Sequence, residues 1–186
     1  MSHWLGILCA IGLSAACGFR VFVPPLILST AAIYGSFELP PNLAILGTEM
    51  GLIATGAALA VEAFVYFIPG LDNTLDVLET PAAIAIASLM VAAFLPPMDP
   101  QWMWAISIIL GGVTAGIIEI LTGITRVAST MATGGLANPL LSTMELLAAV
   151  ILSVLAISLP ILGGIVAAIV LILALRKIVR RRWKDS

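Results

Sequence analysis

TRVASTMATGGLANPLLSTME, residues 125 to 145, carries one arginine, six hydroxyl side chains and a Gly-Gly pair between two oily stretches. On one side Trp102 to Gly123 is long enough to cross a bilayer, and on the other Pro139 to Ser158 is too, since a spanning helix needs about 20 apolar residues. The stretch is therefore expected to be an elbow between two membrane helices. Gly134 and Gly135 leave backbone amides uncovered, Ser129, Thr130 and Thr133 lie just upstream, and Asn138-Pro139 opens a helix whose first amides need acceptors. These features predict an ordered, non-helical elbow over 129 to 138 that lines a polar cavity.

Composition agrees with membrane flanks. The 186 residues are 61% hydrophobic and 10% charged, with mean hydropathy +1.18, whereas a soluble domain carries roughly a quarter charged residues to coat its surface. The expectation is an all-α integral membrane protein of about six hydrophobic segments, joined by polar Gly/Pro elbows, with some half-length or re-entrant helices. Residues 1–175 form one polytopic membrane domain in this reading, and 176–186 a basic tail.

Working outward from the elbow, Leu5 to Cys17 is apolar but too short to span comfortably. Gly18-Phe19-Arg20 and Val23-Pro24-Pro25 break it, because proline lacks a donor and pushes its predecessor out of the helical region. Leu26 to Tyr34 resumes the apolar run, so residues 3 to 34 are either one kinked helix or two short limbs. Gly35 to Asn42 is expected to be a loop and Leu43 to Ile68 a spanning helix, with Thr48, Thr55 and Glu62 on one face. Pro69 to Asn73 is expected to turn, Leu75 to Glu79 to be a short amphipathic piece, and Pro81 to Leu95 a short apolar helix. Pro160 to Leu175 is the last segment, with a tight turn near Pro160 and Gly163-Gly164. An internal repeat is suggested by Glu62 before Thr80-Pro81 and Glu119 before Asn138-Pro139, at similar distances.

The charges are unevenly placed. Six of the eight basic residues lie between Arg176 and Lys184, which by the positive-inside rule puts the C-terminus in the cytoplasm. Such a tail also suits anionic lipid headgroups. The other two are Arg20 and Arg126. An arginine at bilayer depth costs about 2.5 to 3.5 kcal/mol on insertion scales, so it takes partners there. Glu119, seven residues before Arg126 on the same face, and Glu145, across the elbow, are its candidates; Glu62 is a candidate for Arg20. Glu49, Asp72, Asp76 and Glu79 are expected to face water.

Three stretches, GLSAACGFRVFVP (12 to 24), FIPGLDNTLDVLETPAA (67 to 83) and STMATGGLANPLLSTME (129 to 145), resemble a family of small bacterial integral membrane proteins catalogued as domain of unknown function 4126. The resemblance implies a compact multi-helix membrane domain with no established activity. Members similar to it often carry a charged pair just before Ile-Pro-Gly, whereas Tyr66 and Phe67 stand there in this chain.

Catalysis finds no machinery in these residues. His3 is the only histidine, Cys9 and Cys17 sit in an apolar run without metal spacing, and Gly134-Gly135 lacks the lysine and strand of a phosphate loop. No enzyme activity, cofactor, metal or nucleic acid is expected. The leading function is a small inner-membrane transporter or channel, its pathway formed by Arg20, Glu62, Glu119, Arg126, Ser129, Thr130, Thr133, Gly134, Gly135, Asn138 and Glu145, because intramembrane charges beside broken helices mark ion and solute routes. The alternative is a structural or assembly subunit. Membrane lipid is the expected partner, with a homo-oligomer through glycine faces such as Gly47-x-x-x-Gly51 and Gly112-x-x-x-Gly116 as a further one.

Overall fold

The structure, a computed structural model, describes residues 3–66 and 71–182. All regular elements among the described residues are helical, and five stretches are long and apolar enough to cross a membrane. The chain is an all-α integral membrane protein.

Helix α1, His3–Cys17, stands among α4, α6, α7 and α8, introduced below, and its second half is almost wholly buried. Its residues explain this position. Small side chains let neighbouring backbones approach, which drives helix association in lipid where hydrophobicity gives no advantage. A Cβ on Gly12 would lie 2.7 Å from that of Ala156, and one on Gly18 would lie 2.6 Å from the carbonyl oxygen of Ala115. After Cys17 the helix stops, and α2, Val23–Tyr34, starts with Pro24 and Pro25 in its first turn. Residues 3 to 34 are thus two short limbs. The irregular backbone between them is buried in protein, the only place within a membrane where it is tolerated.

A 3-10 helix over Pro41–Gly47 precedes α3, Glu49–Tyr66. The expected helix from Leu43 therefore begins later, because the Thr48 hydroxyl accepts from the Gly51 amide at 3.1 Å and caps the new start. Phe67, Ile68, Pro69 and Gly70 lie outside the described residues. Helix α4, Leu71–Phe94, replaces the expected turn at Leu71 to Asn73, amphipathic piece and separate apolar helix, running straight through Pro81. Pro81 does not open a helix, so this copy of the suggested repeat does not match the one at Pro139.

Asp99 caps α5, Pro100–Ser107, by accepting from the Gln101 amide at 2.9 Å. A π-helical turn over Ile108–Gly112 joins it to α6, Val113–Thr133, giving 34 continuous helical residues. This is longer than the expected Trp102 to Gly123. At the π turn a Cβ on Gly111 would lie 2.4 Å from the Ala87 carbonyl oxygen of α4, and Gly112 and Gly116 face Ile84. Helix α7, Asn138–Ser158, is followed at Leu159 by α8, Pro160–Arg182. The turn falls on Leu159 alone. Gly163 and Gly164 lie inside α8, where they admit Ala156 and Leu8. Helix α8 also continues through Arg176, Lys177 and Arg180, so the basic residues extend a membrane helix.

Candidate functional site

The elbow that the sequence makes prominent is short. Helix α6 runs to Thr133, and only 134–137 turn. The threonine hydroxyls are satisfied locally: Thr125, Thr130 and Thr133 each donate to the carbonyl four residues back, at 2.8, 3.0 and 2.8 Å. Gly134 and Gly135 have φ of 65° and 87°, the left-handed region that closes a helix. The Gly134 amide donates to the Thr130 carbonyl, the Ala137 amide to the Thr133 hydroxyl, and the Asn138 side-chain amide to the Thr130 hydroxyl. Ser129, Thr130 and Thr133 are therefore helical, contrary to the expected elbow over 129 to 138. Gly134 and Leu136 are exposed, while Gly135 and Asn138 are buried.

The polar centre lies deeper, where five elements bring their charges together. At the break between α1 and α2, the Val21 and Phe22 amides donate to the Glu62 carboxylate of α3 at 3.0 and 3.3 Å. Glu62 thus supplies from another helix the acceptor that the start of α2 lacks, at the end where the helix dipole favours a negative charge. Arg20, on the same break, is 1% exposed. It lies 3.9 Å from Glu62 and 3.3 Å from Glu145 of α7, and donates to the Ser142 hydroxyl and, at 3.2 Å, to the Ser142 carbonyl. Arg126 of α6 comes in from the other side and pairs with the same Glu145 oxygen.

Both arginines lie over the ring of Tyr66, at the end of α3. The Arg20 guanidinium carbon is 3.7 Å from the ring centroid and that of Arg126 is 4.0 Å from it. Its hydroxyl donates to Glu79 of α4 at 2.5 Å. Stacking a guanidinium on a desolvated ring is worth about 2 kcal/mol. Glu79 is buried, not solvated as expected, because Tyr66 draws it into the protein. Neither residue was a candidate from sequence.

Glu119 is also buried, with Thr122 and Arg126 on the inner face of α6. It lines, with Thr80, a groove of 270 Å³, while Glu62 and Glu79 line another of 470 Å³ between α3 and α4. Segment Val77 to Ala82 of α4 separates the two grooves. Asn138 and Thr130 bind each other at the elbow, and the structure brings Arg20, Glu62, Arg126 and Glu145 together around Tyr66. Among the described residues no three His, Cys, Asp or Glu side chains converge to hold a metal ion.

A family model described as domain of unknown function (DUF4126) matches residues 7–180. No curated protein and no solved structure matches the chain.

Proposed function

We propose that this chain, which belongs to the DUF4126 family, is a small transporter or channel that moves an ion or small solute past the break between α1 and α2. The observation that carries this reading is the break itself. It turns helix-start amides and Arg20 onto buried carboxylates of α3 and α7, both helices long and apolar enough to cross a membrane. Discontinuous helices whose ends meet buried charges are a recurrent way to build a solute site near the bilayer midplane. Largely apolar surface grooves border Glu62 and Glu79 on one side of α4 and Glu119 on the other. The elbow hydroxyls and glycines take no part in this pathway.

We place the protein in the bacterial inner membrane with its C-terminus in the cytoplasm, since the basic residues gather at the end of α8. Helices α7 and α8 fold back on each other through Ala156 and Gly163, so the elbow belongs on the cytoplasmic side as well. The reading is of a non-catalytic protein. Shrinkage and re-swelling of reconstituted vesicles in salts and small polyols tests it: faster re-swelling than empty vesicles in at least one solute supports transport.

A structural or assembly subunit is the second reading, favoured by the thinly covered α3 and α8, of which 17% and 22% of the spanning window is buried. Those faces, together with lipid, are where a partner or a second copy would sit; most of the glycines are consumed within the chain. A co-purifying partner in the absence of any flux would decide for this reading.

A further inference from the structure

We infer that α1 and α2 form a re-entrant hairpin, which enters and leaves the bilayer on the face opposite the elbow and the C-terminus and carries Arg20 at its tip. The course of each limb follows from its neighbours. Helix α7 starts at the elbow with Asn138 and ends next to Leu159, from which α8 returns to the elbow face. Along α7, helix α1 runs in the opposite sense. Leu5 borders a groove with Ser158, Leu159 and Pro160, Gly12 packs on Ala156, and Arg20 reaches Ser142. The start of α1 therefore lies on the face of Leu159, and its end points towards the elbow.

Helix α2 then turns back. The Phe22 amide meets Glu62 and Leu26 lies against Gly56, so α2 runs antiparallel to α3. Just beyond α2, the Phe37 ring lies 6.4 Å from that of Phe94, the last residue of α4. The face on which Phe94 lies is set by α6. Gly111 packs on Ala87 and Gly116 on Ile84, so α4 and α6 are antiparallel, and α6 ends at the elbow. Phe94 and Phe37 thus lie on the face of Leu159, where α1 begins. A single kinked span would place Phe37 at the elbow instead.

The lengths agree with this course. The 15 residues of α1 and the 12 of α2 rise about 22 and 18 Å, each short of a hydrocarbon core of about 30 Å. Ser142 and Glu145, the partners of Arg20, stand about 6 to 10 Å from the elbow end of α7, a helix roughly 30 Å long. The tip therefore passes the middle of the membrane and stops short of the elbow face. The backbone can turn there because its polar groups are met within the protein. The Phe19 and Arg20 amides donate to the Ala16 carbonyl at 3.0 and 3.1 Å, and those of Val21 and Phe22 to Glu62. Since the hairpin adds no crossing to the five spanning stretches, the N- and C-termini lie on opposite faces. The charged tip stands nearer to the C-terminal face than to the one its own limbs enter from.

Single cysteines at exposed positions test the topology: Trp4→Cys, Ser36→Cys and Leu159→Cys for one face, Leu136→Cys and Lys177→Cys for the other. Each full-length variant is expressed in a bacterial inner membrane and treated with a membrane-impermeant maleimide, first on spheroplasts and then after lysis. The parent chain, whose Cys9 and Cys17 are buried, gives the background. Trp4→Cys, Ser36→Cys and Leu159→Cys should label from the same side, and Leu136→Cys and Lys177→Cys only from the other. Labelling of Trp4→Cys and Ser36→Cys from opposite sides would make residues 3 to 34 a crossing, and labelling of both together with Leu136→Cys would reverse the hairpin. Either result overturns the inference. A cysteine added ahead of Met1, or Glu38→Cys, replaces a variant that fails to accumulate. No flux is measured, so the outcome is separate from that of the transport reading.

Discussion

Around Gly12, Ala156 and Gly163 the helices meet backbone to backbone, whereas around Tyr66 they meet through charged side chains. In the first region the contact is a matter of shape: a Cβ on Gly163 would lie 2.6 Å from the Ala156 Cα. In the second region two arginines share one carboxylate and one ring. Lipid explains why both are needed. Apolar side chains gain little by leaving one oily phase for another, so association comes from close packing or from polar groups that have no other partner. Packing of the first kind stays put. A charged centre of the second kind can exchange partners, which is the property that a pathway requires.

The largest test of this contrast is Glu145→Ala. It leaves both Arg20 and Arg126 without their shared carboxylate, and breaking a buried pair costs about 3–5 kcal/mol. Loss of most folded protein in detergent melting is expected, with Arg126→Ala combined with Glu145→Gln less damaging than the sum of the two changes. Strict additivity would mean that the two charges do not act as a pair. Next comes Gly163→Val, where overpacking costs about 1–3 kcal/mol. Its melting temperature should fall while ion selectivity is untouched; altered selectivity would dissolve the distinction between the two regions.

Tyr66→Phe keeps the ring under the guanidiniums and removes the hydrogen bond to Glu79, an effect of about 1–3 kcal/mol at a buried acceptor. Tyr66→Leu should be worse in the same melting assay, and equal losses would show that the stacking contributes nothing. The smallest effect is expected for Gly134→Ala. Open space surrounds an added Cβ there, so only the positive φ matters, at about 1 kcal/mol. A drop as large as that of Gly163→Val would give the elbow an importance that its geometry does not.

How far these features are legible in sequence depends on whether a residue stands out against its neighbours. Arg20, Arg126, Glu62, Glu119 and Glu145 do, because each interrupts an apolar run, and the cost of a lone charge leaves Glu119 or Glu145 as partner for Arg126 and makes Glu62 a candidate for Arg20; only the fold selects Glu145, which it brings to both arginines. Tyr66 does not, since an aromatic residue near the end of a membrane helix is ordinary at the interface. Glu79 is disguised by Asp72 and Asp76, with which it resembles a wet surface stretch. The hydroxyls of 125 to 133 mislead in the other direction: a threonine that returns its proton to the carbonyl one turn back looks polar in sequence yet leaves a helix intact. Pro81 misleads for a related reason, since neighbouring helices can re-satisfy what a proline frees in a membrane span.

The π turn at Ile108–Gly112 holds one residue more than an α-helical path through the same space would use. Were the same residues wound as regular α-helix instead, the extra residue would be taken up along the axis and, at 3.6 residues per turn, everything after it would swing by about 100°. Arg126 would then turn away from Tyr66 and Glu145, leaving a well-formed helix with its charge on the wrong side. Descent within the family should thus tolerate loss of the extra residue from this segment, whereas a deletion elsewhere ahead of Arg126 should survive only where this turn is itself straightened into α-helix.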